Sequence, residues 1–307
     1  MENARVVTEG LRFPEGPVAM DDGSVIVTEL IGKKVTRVAP DGTKTLVADT
    51  GGSPNGLAVG PDGALYCTNS GGFAYQEVGP YLIPAGEHGQ SQPDDYIGGR
   101  IQRIDLSTGA VTDLYTECDG RPLKGPNDIV FDSTGGFWFT DLGKSRARDL
   151  DKGGLYYAQP DGSSIKEVIF PFVTPNGVGL SPDEKTVYVA ETETGRLWAL
   201  DLSGPGEAAG AQRIVAGVGG HQFFDSLGVD AEGNVCVATI INGGITIISP
   251  DGTFSHVAPP MELFDPIVTN ICWGGDDMRT AYITTSATQK LISCTWPTPG
   301  KRLAYNA

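Results

Sequence analysis

Short apolar runs recur along the chain and are separated by turns rich in glycine, proline, asparagine and aspartate. In SPNGLAVGPDGALYCTN, which begins at Ser53, two apolar runs flank a PDG turn. Runs of this kind between such turns predict short β-strands joined as hairpins. No stretch keeps an apolar 3.6-residue period with helix caps. The pattern therefore predicts an all-β protein.

The same strand pair occurs six times. Its copies are FPEGPVAMDDGSVIVTE from Phe13, SPNGLAVGPDGALYCTN from Ser53, GPNDIVFDSTGGFWFTD from Gly125, TPNGVGLSPDEKTVYVAE from Thr174, FFDSLGVDAEGNVCVAT from Phe223 and VTNICWGGDDMRTAYITT from Val268. A third strand follows each copy, and an outer fourth strand follows most of them. Four antiparallel strands repeated at this spacing are typical of a propeller blade. The predicted fold is a six-bladed β-propeller with four-stranded blades.

The two ends of the chain are predicted to meet in one blade. The last copy has no convincing fourth strand, whereas ARVVTEG near the N-terminus lies where an outer strand is due. Because an open sheet edge invites unwanted pairing, Val6 and Val7 are expected to complete the last blade. All-β domains of this length are common, so residues 1–307 are expected to form one propeller domain.

One interval breaks the repeat. The first two copies start 40 residues apart (53 − 13), but the next starts 72 residues later (125 − 53). The surplus is an insertion at about residues 71–99, which is either a neutral surface loop or a lid over the pore. Its aromatic side chains (Phe73, Tyr75, Tyr81 and Tyr96) favour the lid.

Charge and cysteine content narrow the classes of partner. The net charge of −16, with scattered Lys and Arg, repels phosphate backbones and argues against a nucleic-acid partner. The five cysteines are odd in number and lack CxxC spacing, which argues against thiolate zinc sites and redox pairs. The N-terminus has no apolar signal-like run, and no segment is apolar enough to span a membrane. A cytoplasmic protein with no membrane partner and no obligate protein partner is expected.

An oxygen-bearing residue stands directly before the innermost apolar run of every copy. These ring residues are Glu15, Asn55, Asn127, Asn176, Asp225 and Asn270. Innermost strands line the central channel of a propeller, so equivalent positions should face one another around the axis. Asparagine also suits turns, but turn chemistry does not explain Glu15. The six positions therefore predict a ring of oxygen ligands.

A cation is expected at this ring. Two carboxylates on one axis repel each other and stay poorly satisfied unless a positive charge neutralises them. Ligands that are all oxygen favour a hard divalent cation, with Ca²⁺ first and Mg²⁺ or Mn²⁺ behind it. Zn²⁺ and Fe²⁺ are kept as further alternatives.

Four motifs carry a resemblance to a known family. They are FPEGP around Glu15, GPNDI around Asn127, TPNGVGLS around Asn176 and DSLGVDAEG around Asp225. With them the chain resembles the SMP-30/gluconolactonase/LRE-like family of calcium-dependent lactonases and phosphotriesterases over essentially all six blades. The resemblance implies that Glu15, Asn176 and Asp225 bind the metal. It also implies that Asn127 completes the coordination or holds substrate.

Two ring residues have no firm role in that family. Asn55 and Asn270 are therefore expected, with Asn127, to contact substrate. Ser226 is implied to lie near the metal. A second series closes the second strands (Glu29, Asn69, Asp141 and Glu191). The sequence leaves open whether this series lies away from the ring or supports it.

The expected chemistry is hydrolysis. A hard cation can polarise a carbonyl and stabilise the oxyanion formed when water attacks it. Asp225, with the shorter side chain and the family match, is the expected general base or nucleophile, and Glu15 a pure ligand. The chain contains no GxSxG nucleophile motif and only three histidines.

Three functions are compatible with these features. The first is a gluconolactonase-like hydrolase that opens a sugar lactone or another small lactone. The second is a phosphotriesterase that uses the same site, and the third is a non-catalytic, metal-stabilised binding propeller. The chain lacks the Trp-Asp dipeptide of scaffold propellers. The polar residues that recur in every copy are expected at the propeller axis, which favours an enzyme.

Overall fold

The computed structural model describes residues 1–305 and contains six antiparallel sheets, five with four strands and one with a short fifth strand, which confirms the predicted propeller. From the innermost to the outermost strand, blade 1 has Pro14–Ala19, Val25–Glu29, Lys34–Val38 and Lys44–Asp49; blade 2 has Pro54–Val59, Leu65–Asn69, Arg100–Ile104 and Val111–Tyr115; blade 3 has Pro126–Phe131, Phe137–Asp141, Gly153–Ala158 and Ile165–Phe172; blade 4 has Pro175–Leu180, Thr186–Glu191, Arg196–Gly204 and Arg213–Gly217; blade 5 has Phe223–Val229, Val235–Ile240, Gly244–Ile248 and Phe254–Val257; and blade 6 has Val268–Gly274, Thr280–Thr285, Lys290–Thr295 and Glu2–Glu9.

A few short elements lie outside this scheme. They are Gln76–Val78 paired with Tyr81–Ile83, Glu117–Cys118 paired with Arg121–Pro122, Glu207–Ala208 on the third strand of blade 4, and the 3₁₀ turn Met261–Leu263. Among the described residues there is no helix with the length and apolar character needed to cross a membrane. Residues 306 and 307 of the expected domain lie outside the described part of the chain.

The N-terminal strand closes the ring. Glu2–Glu9 pairs antiparallel with Lys290–Thr295, with Val6 opposite Ile292 and Glu9 opposite Lys290. The last blade therefore combines the first and last strands of the chain, as the sequence predicted. Because Glu2–Glu9 pairs with the third strand of blade 6, the outer edge of that strand is not left unpaired.

The hydrophobic core lies between neighbouring blades. Alternate side chains of a strand point to opposite faces of its sheet, so each blade buries both faces against its neighbours. Between blades 2 and 3, the ring centroid of Phe131 lies 5.0 Å from that of Tyr66 and 5.2 Å from that of Phe137. This packing brings the innermost strands together around the channel.

Threonine hydroxyls join the backbones of successive blades. The hydroxyl of Thr28 donates to the carbonyl oxygen of Asn55 at 2.6 Å, and that of Thr68 donates to the carbonyl oxygen of Asn127 at 2.5 Å. Thr140 donates in the same way to Asn176. In blades 1 to 3, the second strand thus holds the backbone of the next blade's ring residue.

The insertion lies across the end of the propeller where the ring residues begin their strands. In blade 6, the amide of Leu82 donates to the carbonyl oxygen of Ala287 at 2.9 Å. In blade 3, Ser91 and Ser145 each donate a backbone amide to the other's hydroxyl, at 2.8 and 2.9 Å. The buried Lys144 Nζ donates to the carbonyl oxygen of Gly72 at 2.6 Å. The insertion therefore has buried anchors on two other blades.

The close approach of the innermost strands leads to a stability prediction. A Cβ at Gly56 would stand 2.7 Å from both the carbonyl oxygen of Asn127 and Cα of Asp128. Because these are backbone atoms of the next blade, they cannot move aside as a flexible side chain would. We expect Gly56→Ala to lower the free energy of unfolding by about 1–3 kcal/mol, measured by denaturant unfolding.

Gly210→Ala is the matched control. Gly210 is exposed, its φ is not left-handed, and a Cβ there would meet no atom within 4 Å. This control should keep or slightly raise stability, since alanine restricts the unfolded chain. Equal effects of the two substitutions would contradict the tight contact between blades 2 and 3.

Candidate active site

A cavity of about 460 Å³ opens at the end of the channel beneath the insertion. Five of the six ring residues line it, and all five are buried: Glu15, Asn55, Asn127, Asn176 and Asp225. They come from blades 1 to 5 and are far apart in sequence. The tertiary structure thus brings these side chains to one place, as the repeat alignment predicted.

A local irregularity marks each ring position. In every blade, the pairing of the innermost strand with the second strand is interrupted beside the ring residue, for example between Glu15 and Val18 and between Phe224 and Leu227. The same irregularity occurs in the other four blades. Such β-bulges bend a strand and redirect a side chain. They explain how the start of a regular strand can present a polar group to the axis.

Asn270 occupies a different position from the other five. Its Nδ2 donates to Oε2 of Glu15 at 3.0 Å, and its Oδ1 accepts the amide of Ile271 at 2.8 Å. It lines a narrower cavity of about 100 Å³ further along the channel. This placement does not favour the expected substrate contact from Asn270. Instead, Asn270 orients Glu15.

Burial makes negative charge costly at the ring. Burial raises the pKa of Glu15 to about 7, against the opposing hydrogen bonds from Asn270 and from the backbone amide of Gly16. Burial, and then the charge of Glu15, raise the pKa of Asp225 well above its usual range. Since the hydrogen bonds do not offset burial, a nearby positive charge would stabilise both groups as anions.

Asp128 is a third buried carboxyl group, and the sequence reasoning missed it. Burial raises its pKa to about 7, with a further contribution from the charge of Glu15. It accepts the amides of Ile129 at 2.9 Å and Val178 at 3.1 Å and lines the narrower cavity. The available signal was an aspartate in GPNDI at a position where three other copies have glycine. Strict strand alternation would have pointed it away from Asn127.

Two amide oxygens face the site without a partner. Oδ1 of Asn55 and Oδ1 of Asn127 are buried and accept no hydrogen bond within the described residues. Leaving such a group unsatisfied costs about 1–3 kcal/mol, so a ligand that supplies a positive charge or a donor is favoured there. Asn176 is oriented differently: its Nδ2 donates to Thr192 at 3.1 Å and its Oδ1 accepts the Ser226 hydroxyl at 3.3 Å.

The donor set fits a hard cation. Carboxylate and amide oxygens are the ligands that Ca²⁺ prefers. In residues 1–305, no group of three or more His, Cys, Asp or Glu side chains is arranged to hold a metal. An ion at the ring would therefore depend on the amide oxygens beside Glu15 and Asp225. This composition suits Ca²⁺ better than Zn²⁺ or Fe²⁺, which favour nitrogen and sulfur ligands.

The second polar series braces the loops that lead into the ring. Its acceptors take backbone amides two or three residues before a ring residue: Glu29 from Arg12 at 2.7 Å, Asn69 from Ser53 at 2.8 Å, Asp141 from Lys124 and Gly125 at 2.7 Å each, and Glu191 from Val173 at 2.8 Å. These side chains do not line the larger cavity. They support the ring by fixing the entry of four innermost strands.

The histidines do not contribute to the cavity. None of the three lines it, and the exposed His221 packs its ring 5.1 Å from that of Phe223. Among the cavity residues, the carboxyl groups are consequently the groups able to accept a proton at neutral pH. Asp225 and Glu15 are the two that belong to the ring.

Known proteins resemble this chain over most of its length. The profile of the SMP-30/gluconolactonase/LRE-like region matches residues 13–287. Lactonase drp35 of Staphylococcus haemolyticus is 31% identical over 253 residues, which are 81% of this chain and 69% of the relative.

Solved structures share the fold. A gluconolactonase from Xanthomonas campestris superimposes with a TM-score of 0.74 at 21% identity and covers 97% of this chain and 89% of its own. A calcium-binding regucalcin from Agrobacterium tumefaciens has a TM-score of 0.75 at 17% identity and covers 98% of both chains. The fold and the profile match lead to one conclusion: the chain belongs to the SMP-30/gluconolactonase/LRE-like family.

Proposed function

We propose that this protein is a metal-dependent lactonase that opens a small lactone ring with water. The observation that carries the proposal is the floor of the larger cavity, where two buried carboxyl groups lie with unpartnered amide oxygens. The lactonase relative that is 31% identical supports the same reaction class. No observation specifically favours a phosphotriesterase or a non-catalytic binding propeller.

Glu15, Asn176 and Asp225, together with Asn127, would hold the divalent cation, with Ca²⁺ preferred. When bound, the cation would polarise the lactone carbonyl and stabilise the oxyanion. Asn270 holds Glu15 through the 3.0 Å hydrogen bond to Oε2. Asn55, whose Oδ1 is unpartnered, is the ring residue left to contact substrate.

Asp225 would act as the general base. Its Oδ1 accepts the amide of Ser226 at 3.0 Å, which fixes the carboxyl group. The cation that it would help to hold would keep it ionised, so its carboxylate would be available to accept a proton. It would take a proton from water as the water oxygen bonds to the carbonyl carbon. When the ring C–O bond breaks, the leaving oxygen receives that proton, and the product is a hydroxy acid.

The insertion would act as a cover for this site, on the single propeller domain proposed for residues 1–307. It contributes Phe73, Ile83 and Pro84 to the cavity wall. Its anchors on Lys144 and Ala287 are buried, so it would act as a fixed wall more than as a flap.

Hydrolysis itself is the first test. Purified protein should open small lactones, and removal of divalent ions should abolish turnover because the oxyanion loses its stabilisation. Adding Ca²⁺ back should restore it. The measurement is proton release at fixed pH over a panel of lactones and phosphotriesters. Cleavage of phosphotriesters alone would favour the phosphotriesterase, and no cleavage of either would favour the binding propeller.

Substitutions of the two ring carboxylates should have different effects, one on turnover and the other on metal affinity. Asp225→Asn should leave a folded protein with at least about 100-fold lower kcat, because the proton acceptor is lost. Glu15→Gln should chiefly weaken metal affinity, since Glu15 is a ligand only. Calcium titrations that follow activity and binding heat would separate the two. If excess Ca²⁺ restored both variants equally, Asp225 would have no separate chemical role.

The metal-free protein should lose stability as pH rises. The pKa of Glu15 is about 7 in the folded state against an ordinary value of 4.5, so between these values the folded protein binds a proton that the unfolded chain lacks. The contribution of Glu15 to stability is then largest below pH 4.5 and falls towards pH 7, by on the order of 3 kcal/mol.

Melting temperatures at pH 5 and pH 7.5, with and without Ca²⁺, test this dependence. Calcium neutralises the carboxylates, so its stabilising effect should grow over the same interval. Glu15→Gln should make the metal-free profile shallower, and the remaining slope would come from Asp225 and Asp128. A metal-free melting temperature that is equal or higher at pH 7.5 than at pH 5, in wild type and variant alike, would contradict the buried charge.

A further inference from the structure

The walls above the ring are apolar. Side chains of the insertion and of blades 5 and 6 form much of them, including Phe73, Ile83, Phe223, Ile240, Ile241 and Ile267. The charged residues that line the cavity are all acidic: Glu15, Asp225 and Glu193. No lysine or arginine of the described residues lines it, so an anionic group on a substrate would have no basic side chain to pair with.

The hydroxyl groups in the wall are already engaged. Ser91 and Ser145 hydrogen bond to each other. The hydroxyl of Thr192 accepts from Asn176 at 3.1 Å, and that of Thr174 accepts the amide of Glu193 at 3.1 Å. Because each of these hydroxyls already has a protein partner and the rest of the wall is apolar, a polyhydroxylated ring would find few hydrogen-bond partners in this part of the cavity.

Blade 5 departs from the repeat at this wall. In blades 1 to 4 the second strand ends on an acid or amide that braces the entry loop, but in blade 5 it ends on Ile240. The next residue, Ile241, has φ of +79°, a region that β-branched side chains rarely adopt. Its amide donates to the carbonyl oxygen of Pro266 at 2.7 Å, which holds the turn.

Ile241 is strained and yet poorly buried. Its side chain is 42% exposed, so burial does little to offset the backbone cost. A residue chosen for stability at such a position would be glycine or asparagine. Its side chain lines the cavity, as does that of Ile83 in the insertion. An exposed, strained and apolar residue on the wall of a binding cavity is explained by contact with a ligand.

We propose that Ile241 determines specificity and that the preferred substrate is an uncharged lactone with an apolar alkyl or aryl substituent. This inference rests on the proposed lactonase activity. The ester group lies at the ring residues, and the substituent lies in the cavity lined by Ile241 and Ile83. Selectivity arises because each methylene of the substituent leaves water on binding.

The test is a series of γ-lactones with lengthening alkyl chains, compared with glucono-δ-lactone. For the wild-type protein, kcat/KM should rise about twofold to fourfold per methylene, mainly through KM, until the wall is filled. Ile241→Asn should flatten this rise, and its melting temperature should stay level or increase because asparagine tolerates the backbone angle. Ile214→Asn, at another exposed isoleucine (50% exposed) on the outer strand of blade 4, should leave the whole series unchanged.

The outcomes separate this inference from the proposed function. Lactone opening without dependence on chain length, or with glucono-δ-lactone preferred, would overturn the inference and leave the lactonase intact. A melting temperature of Ile241→Asn lower by more than ~3 °C, roughly the shift for 1 kcal/mol, would make Ile241 a structural residue. If no lactone were opened, the proposed lactonase activity would be wrong. The affinity for 5-alkyl-2-pyrrolidinones, measured by calorimetry, would then test the inference: it should rise with chain length in the wild-type protein and not in Ile241→Asn.

Discussion

The burial of Glu15 and Asp225 on one axis is the constraint on which the rest of the site depends. Each carboxyl group loses water, and the charge of Glu15 adds to the cost of ionising Asp225, so both pKa values lie above the ordinary range. Asp128 adds a third buried carboxyl group nearby. A protein tolerates such a cluster when the surrounding structure holds it in place and a positive charge satisfies it. The first requirement is met by how the ring is built, and the proposed cation would meet the second.

The scaffold holds the ring through backbone contacts that do not depend on side-chain packing alone. Threonine hydroxyls of one blade donate hydrogen bonds to the carbonyl oxygens of ring residues in the next. Acceptors at the ends of second strands fix the loops that enter four innermost strands. Gly56 allows the neighbouring backbone to approach. These devices leave the ring side chains little freedom, which is what preorganised catalysis requires.

The parts of the chain that shape the cavity wall lie where the six-fold repeat is interrupted. Blade 2 carries the insertion, which reaches blades 3 and 6 and supplies one wall of the cavity. Blade 5 replaces the bracing acid with Ile240 and places the strained Ile241 at the cavity. The symmetric part of the propeller thus provides the ring, whereas the asymmetric parts shape the space above it. Substrate choice should therefore follow from a few departures from the repeat rather than from the ring.

The sequence by itself determined the blade number, the closing strand around Val6 and the ring positions, because these follow from local strand patterns repeated six times. It could not determine the placement of Asp128 and Asn270, because β-bulges redirect side chains that strand alternation would place elsewhere. Nor could it show where the insertion lies, since its anchors at Lys144 and Ala287 are distant along the chain. Only the tertiary structure decided these, because charge burial and contacts between blades arise when distant segments meet.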